Sequence, residues 1–185
     1  MFFTDKCQGY KTRLSEFDDT KASVLGDYLP GKLGMDAGEN VVYAVLPGAD
    51  YAGGLLFFFE NGKAAKVPLS AYETKTNRKK LTGAYSDKSP LKTAMVMSTD
   101  EQVAVYSTDG RAVIFSTAQL LPKTTRNTQG VGVMSIKKKA AVSHAERVSD
   151  CGIVNQSRYR TRTLPSAGAI LKPEDAPEKQ ISFEV

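Results

Sequence analysis

Short apolar runs broken by turn residues dominate the chain. Leu55 to Glu60 and Gln102 to Ser107 are rich in aromatic and β-branched residues, the composition of strands. Asn61-Gly62 and Asp109-Gly110 follow them. These dipeptides predict type I′ hairpin turns, which need positive φ at both central positions. Lys63 to Pro68 and Arg111 to Ser116 then read as return strands. No window sustains an apolar period of 3.6 residues. At most one helical turn is expected, near Ser116 to Leu121.

The pattern repeats. Met1 to Phe17, Leu56 to Tyr72 and Ala104 to Leu120 align at offsets of 55 and then 48 residues. Phe3, Phe58 and Tyr106 coincide, as do Cys7, Gly62 and Gly110. Downstream, Arg78 falls on Arg126, and each is followed by a glycine, Gly83 or Gly130; the first copy has Gly26 there and no arginine. Each copy closes on an apolar run: Val41 to Leu46, Thr93 to Ser98, Ala140 to His144. A period of about 50 residues with roughly four strands per unit is that of propeller blades, which bury their faces only by stacking on neighbours. The expected fold is all-β, a propeller-like repeat of four-stranded blades. Its units are 1–50, 51–100 and 101–149. Ile153, Tyr159 and Leu164 make 150–164 a candidate capping strand, and the Pro, Ala, Glu and Lys of 165–185 read as an extended tail.

Composition narrows the function. Hydrophobic residues make up 41% and charged residues 24%, a globular balance. No apolar run approaches the roughly 20 residues of a membrane helix, and no signal-peptide core follows Met1, so a cytoplasmic protein without membrane contact is expected. Cys7 and Cys151 then read as free thiols. Net charge is +5 and unevenly spread. Residues 1–59 hold five basic and eight acidic groups, residues 60–147 fifteen and seven, and residues 148–185 five of each. A localised basic excess is the footprint of a polyanion binder, against the plainer reading of solubilising surface lysine.

Catalytic chemistry finds little support. No nucleotide-binding glycine motif is present. His144 near Ser143, Asp150 and Cys151 reads as a surface or structural histidine, since nothing in the spacing forces a Cys–His pair. Asp18, Asp19, Asp36 and Glu39 could be imagined as a carboxylate site but read as solvated loop. Phe57, Phe58 and Phe59 read as core rather than a base-stacking platform.

The unit of strand, turn glycine, strand, PLSAY, arginine and glycine resembles the repeat of a known domain. It is the C-terminal domain of the breakage-reunion subunit of bacterial type IIA DNA topoisomerases, DNA gyrase and topoisomerase IV. FFENGKAAKVPLSAYETKTNRKKLTGAY and STDGRAVIFSTAQLLPKTTRNTQGVGVM carry the resemblance, which covers residues 1–148. It implies a β-pinwheel, a disk whose blades exchange strands and whose basic rim bends DNA. Three units are half of the family's usual disk and the breakage-reunion core is missing, so the chain is expected to be the C-terminal end of that larger polypeptide or a piece cut from it. The Gln-, Arg- and Gly-rich heptapeptide of gyrase is absent, with TRNTQGVGV a degenerate echo, which favours a topoisomerase IV-like protein.

The resemblance implies a non-catalytic DNA-binding and bending domain of an ATP-dependent isomerase, without metal, cofactor or nucleophile of its own. Double-stranded DNA, the remainder of the breakage-reunion polypeptide and the enzyme's other polypeptide are the implied partners, in a nucleoid-associated enzyme. The candidate DNA-binding residues recur at equivalent places. They are Lys63, Lys66 and Arg111 on return strands, Lys75, Arg78, Lys79, Lys80, Lys123 and Arg126 on long loops, and Lys137, Lys138 and Lys139 on a closing turn. Arg78 and Arg126 could instead hold backbone carbonyls. Half a disk leaves open blade edges, which invite a second copy as a homodimer. A protein-interaction propeller without nucleic-acid binding is the rival reading.

Overall fold

The structure is a computed structural model and describes residues 1–74 and 79–176. Twelve strands are present among the described residues: β1 (Phe2–Thr4), β2 (Gly9–Tyr10), β3 (Val41–Ala44), β4 (Gly54–Phe59), β5 (Lys63–Pro68), β6 (Lys80–Leu81), β7 (Leu91–Met97), β8 (Gln102–Ser107), β9 (Arg111–Ser116), β10 (Val131–Gly132), β11 (Val142–Arg147) and β12 (Ala169–Ile170). They form three four-stranded antiparallel sheets, ordered β3-β1-β2-β6, β10-β5-β4-β7 and β11-β8-β9-β12. The sheets are blades 1, 2 and 3. In blades 1 and 2 the outermost strand belongs to the next repeat: β6 completes blade 1 and β10 completes blade 2. In blade 3, β12 from the C-terminal segment takes that place.

The run Leu55–Phe59 is apolar without alternation because both faces of blade 2 are covered. Leu55, Phe57 and Phe59 join Phe3, Tyr72 and Tyr85 in the layer against blade 1. Leu56 and Phe58 join Val103, Val105, Val113 and Phe115 in the layer against blade 3. All five are essentially without exposure, and full burial stabilises by about 1.5–3 kcal/mol per such side chain. On the far face of blade 3, Ala104, Tyr106, Ala112 and Ile114 pack on Cys151, Ile153 and Tyr159. Cys151, Ile153 and Tyr159 reach that face from irregular backbone with a 3-10 turn at Gln156–Arg158; the strand comes later, at Ala169–Ile170.

The hairpin turns differ from type I′. Only the glycine is left-handed, Gly62 at φ 82° and Gly110 at φ 76°. The N–H of Gly62 reaches Phe59 O and that of Gly110 reaches Ser107 O. This is the longer hairpin loop that ends on one left-handed residue. Cys7 holds the same place in blade 1 at φ 57°, with its N–H on Thr4 O. The carbonyl of each turn residue then accepts from the exchanged segment: Cys7 O from Ala84 N (2.8 Å), Gly62 O from Met134 N (3.0 Å) and Gly110 O from Leu171 N (2.8 Å). The exchanged strands are thus pinned at the same station three times.

The first repeat is longer and carries a short helix, α1 (Leu29–Leu33), that no apolar period announced. Pro30 in its first turn and left-handed Gly34 at its end define it. Glu39, expected in a solvated loop, is buried. It accepts hydrogen bonds from Tyr10 Oη (2.6 Å), Thr4 Oγ1 (3.3 Å) and Asp36 N (3.2 Å).

Gly83 and Gly130 both have positive φ, but their surroundings differ. A Cβ on Gly130 would lie 1.9 Å from Ala64 O, whereas one on Gly83 would touch only Asn127 Cβ at 3.7 Å. Gly83→Ala should therefore cost about 1 kcal/mol of backbone strain. Gly130→Ala should cost about 3 kcal/mol or more, because it pushes the exchanged strand off β5. Paired urea unfolding curves check this, and equal losses would contradict the close approach.

Candidate nucleic-acid interface

After each return strand the chain makes a 3-10 turn, Leu69–Tyr72 in the second repeat and Thr117–Gln119 in the third. Described residues that follow these turns lie as a strap along the outer edge of the preceding blade. Lys79 lies on the strap of blade 1, residues 121–130 form that of blade 2, and the C-terminal residues 159–168 follow blade 3. Lys11, Lys66 and Ile114 are equivalent positions at mid-edge. Lys11 N donates to Lys79 O (2.7 Å), Lys123 N to Lys66 O (2.8 Å), and Ile114 N to Tyr159 O (2.7 Å). From the outer strand the chain crosses back over the hairpin-turn end of the blade to the next inner strand, through residues 82–90 and 133–141.

The described candidate residues fall into three groups. Lys79 and Lys123 on the straps, and Lys137, Lys138 and Lys139 on the second crossing, are exposed and have no acidic partner among the described residues. Lys63 is nearly equivalent, since its Nζ donates only to the neutral Gln129 Oε1 at 2.9 Å. Lys66, Lys80 and Arg111 are matched by carboxylates. Lys66 Nζ lies 2.6 Å from Asp100 Oδ1 and its side chain is 13% exposed. Lys80 Nζ lies 2.5 Å from Asp36 Oδ2. Arg111 Nε lies 3.3 Å from Asp109 Oδ2, and its Nη1 donates to Ala167 O at 3.1 Å. Arg126 Nη1 donates to Ala71 O at 3.1 Å and its guanidinium sits 6.0 Å from the Tyr72 ring centre, so it ties its strap to the PLSAY turn. Lys75 and Arg78 lie outside the described residues.

Repeat alignment ends at residue 149, so it misses the third strap, with its Arg158, Arg160 and Arg162. Only the arginine alternation in Tyr159-Arg160-Thr161-Arg162-Thr163 signals it. Arg158 is paired with buried Asp175, which also accepts from Tyr159 Oη (2.7 Å). At the inner edge, Arg147 Nε reaches both oxygens of Glu101 (3.1 and 3.0 Å), while Tyr43 Oη accepts from Val96 N (2.8 Å).

Other candidate chemistry does not assemble. His144 is exposed, its ring stacked 4.4 Å from Tyr106, with Nδ1 3.0 Å from Ser143 Oγ. Cys7 and Cys151 are free thiols in different packing layers. Among the described residues no group of His, Cys, Asp or Glu could hold a metal, and no helix is long and apolar enough to cross a membrane. Phe57, Phe58 and Phe59 are core.

The Lys66–Asp100 pair joins blades 2 and 3 and makes a pH signature. Lys66, then the Thr117 hydroxyl at 2.7 Å, hold the Asp100 carboxyl below the usual carboxylate range. A depressed folded value means the contribution is complete above about pH 4 and lost as pH falls through that value. Asp100→Asn should lower the melting temperature at neutral pH and flatten its fall as pH drops below about 4. A melting profile as steep as that of the unmodified chain would contradict this.

No protein-family model matches the chain. Among curated proteins it is similar to the chloroplastic/mitochondrial DNA gyrase A protein of Arabidopsis thaliana, 26% identical over 171 residues. That match takes in 85% of this chain but 18% of the relative's length. Among solved structures, the C-terminal domain of DNA topoisomerase IV superposes with a TM-score of 0.70 at 19% identity, over 82% of this chain and 47% of that one. The DNA gyrase A C-terminal domain gives 0.64 at 16% identity, over 95% and 61%. The E. coli ParC C-terminal domain gives 0.64 at 11%, over 93% and 76%. Three strand-exchanging four-stranded blades and these superpositions make the fold a β-pinwheel, that of the C-terminal domains of topoisomerase IV and DNA gyrase A.

Proposed function

We propose that the chain is a non-catalytic domain that binds and bends duplex DNA within an ATP-dependent type II DNA topoisomerase, presenting a DNA segment to the cleavage core. One observation carries this. Lys79 and Lys123 on the straps, Lys137 to Lys139 on the second crossing and Lys63 at the start of β5 stand free of carboxylates among the described residues, on a fold shared with topoisomerase domains. Lysines neutralise phosphates as point charges and read no base sequence, which suits a domain that must accept any DNA. On this reading a single duplex that contacts the straps of successive blades together is bent by doing so. The rest of the breakage-reunion polypeptide and the enzyme's other polypeptide are the partners this reading implies, in the bacterial cytoplasm at the nucleoid. The missing Gln-, Arg- and Gly-rich heptapeptide is the ground for preferring a topoisomerase IV-like protein.

Duplex binding should be independent of sequence, and log K should fall linearly with log salt by about 0.9 per phosphate contact. Lys137→Ala, Lys138→Ala, Lys139→Ala should reduce that slope by up to about 3 with little change in melting temperature. Anisotropy titrations at several salt concentrations check both. Binding that ignores salt, or that needs one sequence, would contradict the reading.

A second reading concerns the face of blade 1 turned away from blade 2. It holds a groove of about 400 Å³ lined by Phe2, Leu14, Phe17, Ala44 and Leu46. Among the described residues, six of the eleven exposed large apolar side chains lie between Leu14 and Leu46. Blade 3 is covered by its own C-terminal segment, so a second copy could stack only blade 1 to blade 1, with two-fold symmetry. Light scattering should show a dimer that Leu14→Asp with Leu46→Asp dissolves; a monomer at all concentrations would contradict this homodimer.

A further inference from the structure

We infer that the C-terminal strap of blade 3 carries a phosphodiester-binding site formed by Arg160 and Arg162, extending the DNA track onto a segment outside the repeats. It rests on the DNA-binding reading above and goes beyond it by naming the residues.

Arg160 is aimed without being neutralised. Its Nε donates to Gln102 Oε1 (3.1 Å) and its Nη2 to Gln156 Oε1 (3.0 Å), both neutral amide oxygens. Two of the five N–H donors of the guanidinium are thereby used for positioning, and three remain. Arg162 is exposed, with no hydrogen-bond or ion-pair partner among the described residues. Neither arginine has a carboxylate within ion-pair reach among the described residues, whereas Arg158, on the same segment, is taken by Asp175 and Glu174. The strap is fixed beneath them by the hydrogen bond from Thr161 N to Ile114 O (2.8 Å), at the station where Lys123 docks on blade 2. Gln119 Nε2 also reaches Thr161 O at 3.5 Å.

The two arginines border a groove of about 350 Å³ whose other polar walls are Gln102, Ser116, Gln119 and Thr161. Amide and hydroxyl groups beside two unneutralised guanidinium forks suit a phosphate oxygen pair, which arginine binds in bidentate fashion. The station matches those of Lys79 and Lys123 on blades 1 and 2. A backbone lying along those straps would meet Arg160 and Arg162 next, and Arg158, neutralised by acids, marks the limit of the track.

Arg160→Gln with Arg162→Gln, made in the full chain, keeps polar side chains of similar reach and removes two charges. Against a mixed-sequence duplex this variant should bind about tenfold more weakly at 0.1 M salt, with the salt slope reduced by about 2. In the unmodified chain, the Nε–H resonances of Arg160 and Arg162 should shift as duplex is added, and inorganic phosphate at matched ionic strength should not reproduce the shift at equal phosphate concentration. This spectroscopic readout holds even where the variant melts lower. Equal affinity and slope for variant and unmodified chain, arginine resonances blind to DNA, or an equal response to free phosphate would each overturn the site while leaving the domain's DNA binding intact. If the unmodified chain fails to bind duplex at low salt, the underlying reading fails with it.

Discussion

A three-stranded sheet with a bare outer edge exposes a row of unpaired N–H and C=O groups, which invites pairing with any passing strand. In this chain every such edge is filled from further along the sequence: β2 by β6, β5 by β10 and β9 by β12. To reach that edge the chain must leave its own blade, travel along the neighbour's rim and cross back over the turn end. The rim is therefore built from irregular strap rather than from strand. One side of a strap hydrogen-bonds to the blade, and the other side faces solvent. That arrangement holds charged side chains at the rim without asking any strand to bury them.

Basic residues on this scaffold then divide by neighbour. Lys66 and Lys80 sit where the scaffold brings carboxylates to them, Asp100 on the connection from β7 to β8 and Asp36 on the long first repeat. They serve as joints. The lysines of the second crossing and of the strap ends meet no acid among the described residues and remain available to a polyanion. Position in the exchange pathway, rather than residue type, separates the two roles, because exposed pairs contribute little unless the scaffold holds them.

The long strands were legible in the sequence because their determinants are local. The phenylalanine run and the turn glycines set β4, β5, β8 and β9 to within a residue of their bounds. Loss of alternation in Leu55–Phe59 also carried information, since it marks a blade covered on both faces. The two-residue outer strands had no such signal. Val131–Gly132 and Ala169–Ile170 are strands only because a partner edge lies beside them, and the second sits in a stretch whose composition reads as tail. Turn chemistry was half legible: glycine announced a positive φ, but Cys7 takes the same conformation without one. Charge was legible as a total and not as a pattern of pairs, because Lys66 and Asp100 are brought together by stacking of blades. Glu39 escaped because its partner Tyr10 stands 29 residues away within the same repeat.

Amide hydrogen exchange of the full chain with and without a mixed-sequence duplex tests the central claim most directly, that DNA lies along the exchange pathway. Added protection is expected in residues 121–130 and 137–139, with the inner strands β3, β7 and β11 unchanged. Protection confined to residues 14–46, on the open face of blade 1, or no added protection at a concentration where the duplex is bound, would contradict it.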